Sequence, residues 1–161
     1  MNLFEFAMKM ELDGKAYYEK LAAETAIEGL KTILLMLAAD EQKHYEAVRD
    51  LQTNVPGTMP DSAVLEKAKN IFEGVRADKT VVDGMKKELD GYLHAMKIEA
   101  DSVRLYEDMA KQEDNQDTVA LLLRIANEEK KHYNIVQNLY EFGLKPEYYL
   151  EWVEFSNRER L

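Results

Sequence analysis

Apolar residues recur at alternating spacings of three and four along several long stretches of the chain. This spacing places them on one face of an α-helix and is typical of helices that pack in a bundle. One stripe comprises Leu30, Leu34, Leu37, Glu41, His44, Val48 and Leu51. Another comprises Thr118, Leu122, Ile125, Glu129, His132, Val136 and Leu139. Both stripes therefore carry a Glu and a His at their centre, where a bundle buries its side chains.

Few helix-breaking residues interrupt these stretches. The chain has only seven Gly and three Pro, and the segments between them are rich in residues that favour helices. The breaks predict helices up to about residue 27 and at 30–52, 61–75, 81–112 and 117–142, with a short helix after Pro146.

The lengths of the connections predict how the helices are arranged. Short loops join the first long helix to the second and the third to the fourth, so each pair forms an antiparallel hairpin. We expect one all-α domain over residues 1–161, a ferritin-like four-helix bundle of hairpins 1–52 and 81–142. A long crossover, 53–80, joins the hairpins and contains a short helix, and a tail helix follows at 145–158.

The two hairpins repeat one another in sequence. The shift is 88 residues, the separation of Glu11 from Glu99. The same shift superposes Ala7 on Ala95, Tyr18 on Tyr106, Glu41 on Glu129, His44 on His132, Tyr45 on Tyr133 and Val48 on Val136. The repeat predicts a pseudo-twofold axis through whatever the repeated polar residues build.

The repeated polar residues have the chemistry of a metal site. They are Glu11, Glu41, His44, Glu99, Glu129 and His132, one or two from each long helix. Four buried carboxylates repel one another and are costly to desolvate, so a positive charge must lie among them. Two divalent cations balance four glutamates, and each Glu-x-x-His places both donors on one helix face.

Other residues are predicted to support the ligands. Tyr18 and Tyr106 lie about two helical turns after Glu11 and Glu99, where their hydroxyls can reach ligating carboxylates.

Four further residues flank the predicted ligands. Asp40 and Glu128 each precede a histidine of their own helix by four residues, so we expect each to orient that imidazole. Gly14 and Ser102 are small and stand one turn after the first carboxylates, which predicts space there for water, dioxygen or peroxide.

Composition excludes several classes of function. The absence of cysteine excludes disulfides, thiolate metal sites and cysteine nucleophiles. With 31 acidic and 21 basic residues, the net charge of -10 disfavours nucleic acid and anionic membranes. No signal peptide or membrane-spanning stretch is apparent, so we expect a cytoplasmic protein.

At these motifs the sequence resembles the rubrerythrin branch of the ferritin-like di-iron proteins. The likeness covers residues 1 to about 142 and comprises Glu11-x6-Tyr18, Glu41-x-x-His44, Glu99-x6-Tyr106 and Glu129-x-x-His132. It implies two iron ions, cycling between Fe2+ and Fe3+ and oxo-bridged when oxidised, that react with hydrogen peroxide or dioxygen.

Two departures from the family pattern change these expectations. Rubrerythrins carry a four-cysteine rubredoxin module, which this sequence lacks, so electrons would come from a separate donor protein such as a rubredoxin. The family also usually has a further ligating Glu where this chain has Ser102, which puts redox-linked iron movement in question.

Two alternatives to a peroxidase or oxidase remain at this stage. The same residues suit a ferroxidase that handles iron as ferritins do, and carboxylate and imidazole donors also accept Mn or Zn. A homodimer is expected for such a fold. A large hollow assembly would instead favour iron storage.

Overall fold

The computed structural model describes residues 2–54, 59–75 and 78–146. Six α-helices make up most of these residues, and no β-strand occurs among them. In chain order the helices are α1 (Leu3–Glu24), α2 (Glu28–Gln52), α3 (Val64–Val75), α4 (Lys79–Lys86), α5 (Leu89–Gln112) and α6 (Gln116–Leu144). The predicted all-α class is therefore confirmed for this part of the chain.

The four long helices form two hairpins. α1 packs along α2 and α5 packs along α6, while contacts of α1 with α5 and of α2 with α6 close the bundle. Side-chain caps define where two of these helices begin: Asn2 accepts a hydrogen bond from the Glu5 N–H (2.8 Å), and Asn115 accepts one from the Thr118 N–H (3.1 Å). The crossover helix α3 lies against α2 and α6.

The segment predicted as a single helix over 81–112 is divided in two. Lys87 and Glu88 form a turn between α4 and α5. α4 packs against α6 and buries Val81 and Met85 in the core, whereas α5 follows the bundle, so the chain has to change direction between them. Gly84 and Gly91 flank this turn and disfavour helix, but the prediction treated them as interior residues of one helix.

The other boundaries differ less. The crossover helix predicted from residue 61 begins at Val64, after a non-helical segment. α6 continues to Leu144, and most of the tail helix predicted at 145–158 lies outside the described residues.

Two apolar layers fill the bundle at different heights. One includes Tyr18, Leu34, Leu37, Tyr92, Ile135 and Leu139. The other includes Ala7, Val48, Tyr106, Leu122 and Ile125. Each long helix contributes to both layers and carries one glutamate at the height between them. These glutamates therefore lie in a polar band that is closed by apolar side chains above and below.

Close packing of α4 on α6 predicts that Gly143 is needed for stability. A Cβ at this position would lie 2.9 Å from Leu89 Cδ2 and 3.2 Å from the Met85 carbonyl oxygen. We expect Gly143→Ala to lower the free energy of unfolding by about 1–3 kcal/mol, measured by urea denaturation. Gly74→Ala is the matched control, because a Cβ there meets nothing within 4 Å. An equal effect of both substitutions would contradict this packing.

Candidate metal centre

All six predicted ligand residues meet in the band between the two apolar layers. Each is at most 1% exposed. Their donor atoms form two groups of four, in each of which the atoms lie within 4.8 Å of one another. The first group comprises Glu11, Glu41, His44 and Glu129, and the second comprises Glu41, Glu99, Glu129 and His132.

The two groups share Glu41 and Glu129. These glutamates come from the neighbouring helices α2 and α6, and each belongs to both groups. Glu11 and Glu99 each belong to one group only. The arrangement has the form of a two-ion site with two shared and two terminal carboxylates, and it follows the pseudo-twofold symmetry of the sequence repeat.

Both histidines present Nδ1 to the cluster. His132 Nδ1 lies 3.1 Å from Glu41 Oε1, 3.1 Å from Glu99 Oε2 and 3.2 Å from Glu129 Oε1. His44 Nδ1 lies 3.4–3.5 Å from oxygens of Glu11, Glu41 and Glu129. An imidazole nitrogen among carboxylate oxygens is placed to share a cation with them.

The Nε2 atoms point out of the cluster and contact two more acids, in a pairing that corrects the sequence-based expectation. His44 Nε2 lies 2.8 Å from Glu128, and His132 Nε2 lies 2.9 Å from Asp40. Each acid therefore contacts the histidine of the other hairpin. It does not pair with the histidine that follows it by four residues in its own helix. A proton on Nε2, donated to the acid, leaves the Nδ1 lone pair free for a metal.

The two tyrosines make the hydrogen bonds that their spacing predicted, again across the bundle. Tyr18 donates to Glu99 Oε2 and Tyr106 donates to Glu11 Oε2, both at 2.6 Å. Each hydroxyl holds one oxygen of a terminal carboxylate. The other oxygen, Oε1 in both cases, is buried without a hydrogen-bond partner.

Unpartnered polar atoms concentrate in this band. They include Glu11 Oε1, both oxygens of Glu41 and of Glu129, Glu99 Oε1 and His44 Nδ1. Buried polar atoms normally have hydrogen-bond partners, whereas these unpartnered atoms belong to the two donor groups described above. The donor set, with its oxygen and nitrogen atoms and four carboxylates, fits a pair of divalent cations.

The electrostatics of the protein without metal lead to the same interpretation. Burial, reinforced by the charge of Glu129, raises the pKa of Glu99 to about 7. Burial and the neighbouring glutamates also raise the pKa of Glu11 well above its usual value. Burial lowers the pKa of His44 and of His132, but the surrounding carboxylates outweigh it and raise both pKa values well above normal. Protons thus take the place of cations in the metal-free cluster.

Two residues that the sequence analysis did not single out contact Asp40. Ser62, from the segment before α3, donates to Asp40 Oδ2 (2.5 Å), and the Lys43 ammonium lies 3.6 Å from Asp40 and 3.8 Å from Glu128. Burial raises the pKa of Asp40, but the His132 hydrogen bond, Ser62 and Lys43 together bring it below its usual range. Lys43 has a repeat counterpart in Lys131 and was detectable by that signal, whereas Ser62 has no signal in the pattern.

The expected free space beside Gly14 is taken by a ligand residue. A Cβ at Gly14 would lie 2.7 Å from Glu41 Oε2, so the glycine admits a shared carboxylate and leaves no room there for a small molecule. Ser102, its repeat counterpart, is buried on α5.

An all-helical bundle around buried glutamates and histidines is the construction of ferritin-like carboxylate proteins. The family model for rubrerythrin matches residues 2–140, and the chain belongs to the rubrerythrin family, which is a ferritin-like di-iron carboxylate family. The buried cluster is compatible with the di-iron site of that family. No curated protein and no solved structure matches significantly.

Among the described helices, none has the length and apolar character needed to cross a bilayer.

The raised pKa values predict how stability depends on pH. Glu11, Glu99 and both histidines bind protons more tightly in the folded state than in the unfolded state, so their contribution is present at low pH and lost as the pH rises. Between about pH 5 and about pH 8 the melting temperature of the metal-free protein should fall. Bound divalent metal should abolish this fall, because it replaces the protons. Identical pH profiles with and without metal would contradict the arrangement.

The close approach at Gly14 predicts a specific effect on metal binding. Gly14→Ala should displace the Glu41 carboxylate and weaken binding of both ions, since Glu41 belongs to both groups. Titration of the metal-free protein with Mn(II) measures this affinity, and Gly74→Ala again serves as the control. Unchanged affinity in Gly14→Ala would show that Glu41 does not bind metal in this conformation.

Proposed function

We propose that this protein is a di-iron oxidoreductase of the rubrerythrin type that reduces hydrogen peroxide or dioxygen. The observation that carries the proposal is the pair of donor groups that share Glu41 and Glu129. Shared carboxylates hold two ions close together, so both can deliver electrons to one small oxidant. Membership of the rubrerythrin family favours iron as the metal.

When bound at these residues, a ferrous pair would supply the two electrons that, with two protons, reduce one peroxide to two waters. The protein's own residues fix the pair and its surroundings. Glu11 and Glu99, which the tyrosine hydroxyls orient, would each hold one ion, and the two histidines would complete the ligand set. The apolar layers on both sides exclude water from the band.

Electrons have to return to the site after each turnover. We assign that role to a one-electron donor protein such as a rubredoxin. A cytoplasmic homodimer remains our prediction for the working form.

Iron content and the choice of oxidant test the proposal together. The protein is purified without oxygen, loaded with Fe(II), assayed for iron per chain, and then mixed rapidly with hydrogen peroxide or with air-saturated buffer. Two irons per chain and a faster absorbance change with peroxide support a peroxidase. A faster change with air supports an oxidase, and iron that is oxidised and then released or mineralised supports a ferroxidase instead. Failure to bind two ions per chain would overturn the proposal.

Removal of a shared carboxylate should disable the site without unfolding the bundle. We expect Glu41→Ala and Glu129→Ala each to lose at least one ion per chain and most of the peroxide reaction, while helix content measured by circular dichroism stays the same. Glu46→Ala is the control, since Glu46 lies on the same helix as Glu41 and is exposed. Retention of two tightly bound ions by either variant would refute the ligand assignment.

A further inference from the structure

The crossover occurs once in the chain, between the two repeated hairpins, so its contacts with the metal site have no counterpart in the repeat. The part that precedes α3 is held against both hairpins. Met59 is 5% exposed, packs in one of the two apolar layers, and accepts a hydrogen bond from Arg124 of α6 at its carbonyl oxygen (2.7 Å). The Pro60 carbonyl oxygen accepts one from Lys43 of α2 (3.0 Å). These contacts fix the position of Ser62, two residues further on.

The Ser62 hydroxyl joins the beginning of α3 to an outer acid of the site. Its oxygen accepts a hydrogen bond from the Val64 N–H (3.2 Å), and its proton is donated to Asp40 Oδ2 (2.5 Å). The same Asp40 oxygen lies 2.9 Å from His132 Nε2. The crossover therefore fixes the carboxylate that orients the histidine of the second donor group.

The other outer acid lacks this support. Glu128 Oε1 lies 2.8 Å from His44 Nε2 and 3.8 Å from the Lys43 ammonium, which also lies 3.6 Å from Asp40. In the described part of the chain, no hydroxyl and no backbone N–H donates a hydrogen bond to Glu128. The histidine of the first donor group is therefore oriented by an acid that is itself held less firmly.

Distances inside the cluster differ in the same direction. His132 Nδ1 lies 3.1–3.2 Å from three carboxylate oxygens, whereas the corresponding distances from His44 Nδ1 are 3.4–3.5 Å. His44 Nδ1 has no hydrogen-bond partner, whereas His132 Nδ1 is within hydrogen-bond distance of Glu99. Donors that are already in position lose less freedom when they bind an ion. The second group is therefore better organised for binding than the first.

We propose that the crossover makes the two ion positions unequal, and that Ser62 is a positioning residue which acts through Asp40 and His132 to make the second donor group fill first. This inference rests on the two-ion site of the proposed function and is independent of the oxidant. Loading then begins at the second group. The shared Glu41 and Glu129 are already bound to one ion when another enters the first group.

The order of loading can be read from the histidines themselves, because the chain has only three. The metal-free, full-length protein is labelled with 15N and equilibrated with stepwise additions of Zn(II), which is diamagnetic. The ring nitrogen signals of His44 and His132 are recorded at each addition, and exposed His94 serves as the internal reference. We expect the His132 signal to shift up to one zinc per chain and the His44 signal to shift between one and two.

Variants of the crossover test whether Ser62 sets this order. Ser62→Ala should lower the zinc affinity of the second position about tenfold, so that both histidine signals shift together or in the reverse order. Ser62→Thr keeps the hydroxyl and should preserve the original order. Asp78→Ala is the control for the lost hydrogen bond at the start of α3, because Asp78 accepts the analogous bond from the Thr80 N–H at the start of α4 (2.8 Å).

Three results would overturn the inference. One is simultaneous shifting of both histidine signals in the unsubstituted protein, and another is an unchanged order in Ser62→Ala. The third is loss of the order in Asp78→Ala as well, because a general weakening of the crossover helices would then explain it. Zinc per chain, measured on the same samples, separates these results from failure of the site. Fewer than two zinc ions in the unsubstituted protein would overturn the two-ion site itself and this inference with it.

Discussion

Mutual repulsion among four buried carboxylates is the constraint on which the rest of this structure depends. Leaving them ionised in an apolar bundle without positive charge is too costly, and the raised pKa values of Glu11, Glu99 and the two histidines show how the metal-free protein compensates with protons. The hydrogen bonds of the tyrosines, the outer acids and the apolar layers all act on this cluster. Each fixes a donor atom or removes water, so the cluster holds its shape for cations.

The hydrogen bonds that the two tyrosines and the two outer acids make at the site cross from one hairpin to the other. Tyr18 on α1 meets Glu99 on α5, and Tyr106 on α5 meets the glutamate of α1. Asp40 and Glu128 likewise hold histidines of the opposite helix. Bonds of this kind tie the hairpins together at the height of the ligands, so the geometry of the site and the packing of the bundle are set by the same contacts.

Sequence periodicity was sufficient to predict the all-α class and which residues share the core-facing side of each long helix, because a helix face is determined by spacing alone. It could not predict which helix faces which, and for that reason Asp40 was assigned to the histidine of its own helix. Long-range contacts also explain the other differences. The turn at Lys87 serves the packing of α4, Ser62 arrives from an irregular segment, and the space beside Gly14 is filled by a side chain from α2.

The division of donors among the helices has an evolutionary consequence. The first group draws on α1, α2 and α6, and the second on α2, α5 and α6, so neither hairpin alone supplies a complete position for even one ion. A single-hairpin ancestor of this duplicated chain could therefore have bound a metal pair only as two copies meeting on a symmetry axis. Fusion of the copies freed the halves to diverge, as they have at Gly14 and its counterpart Ser102.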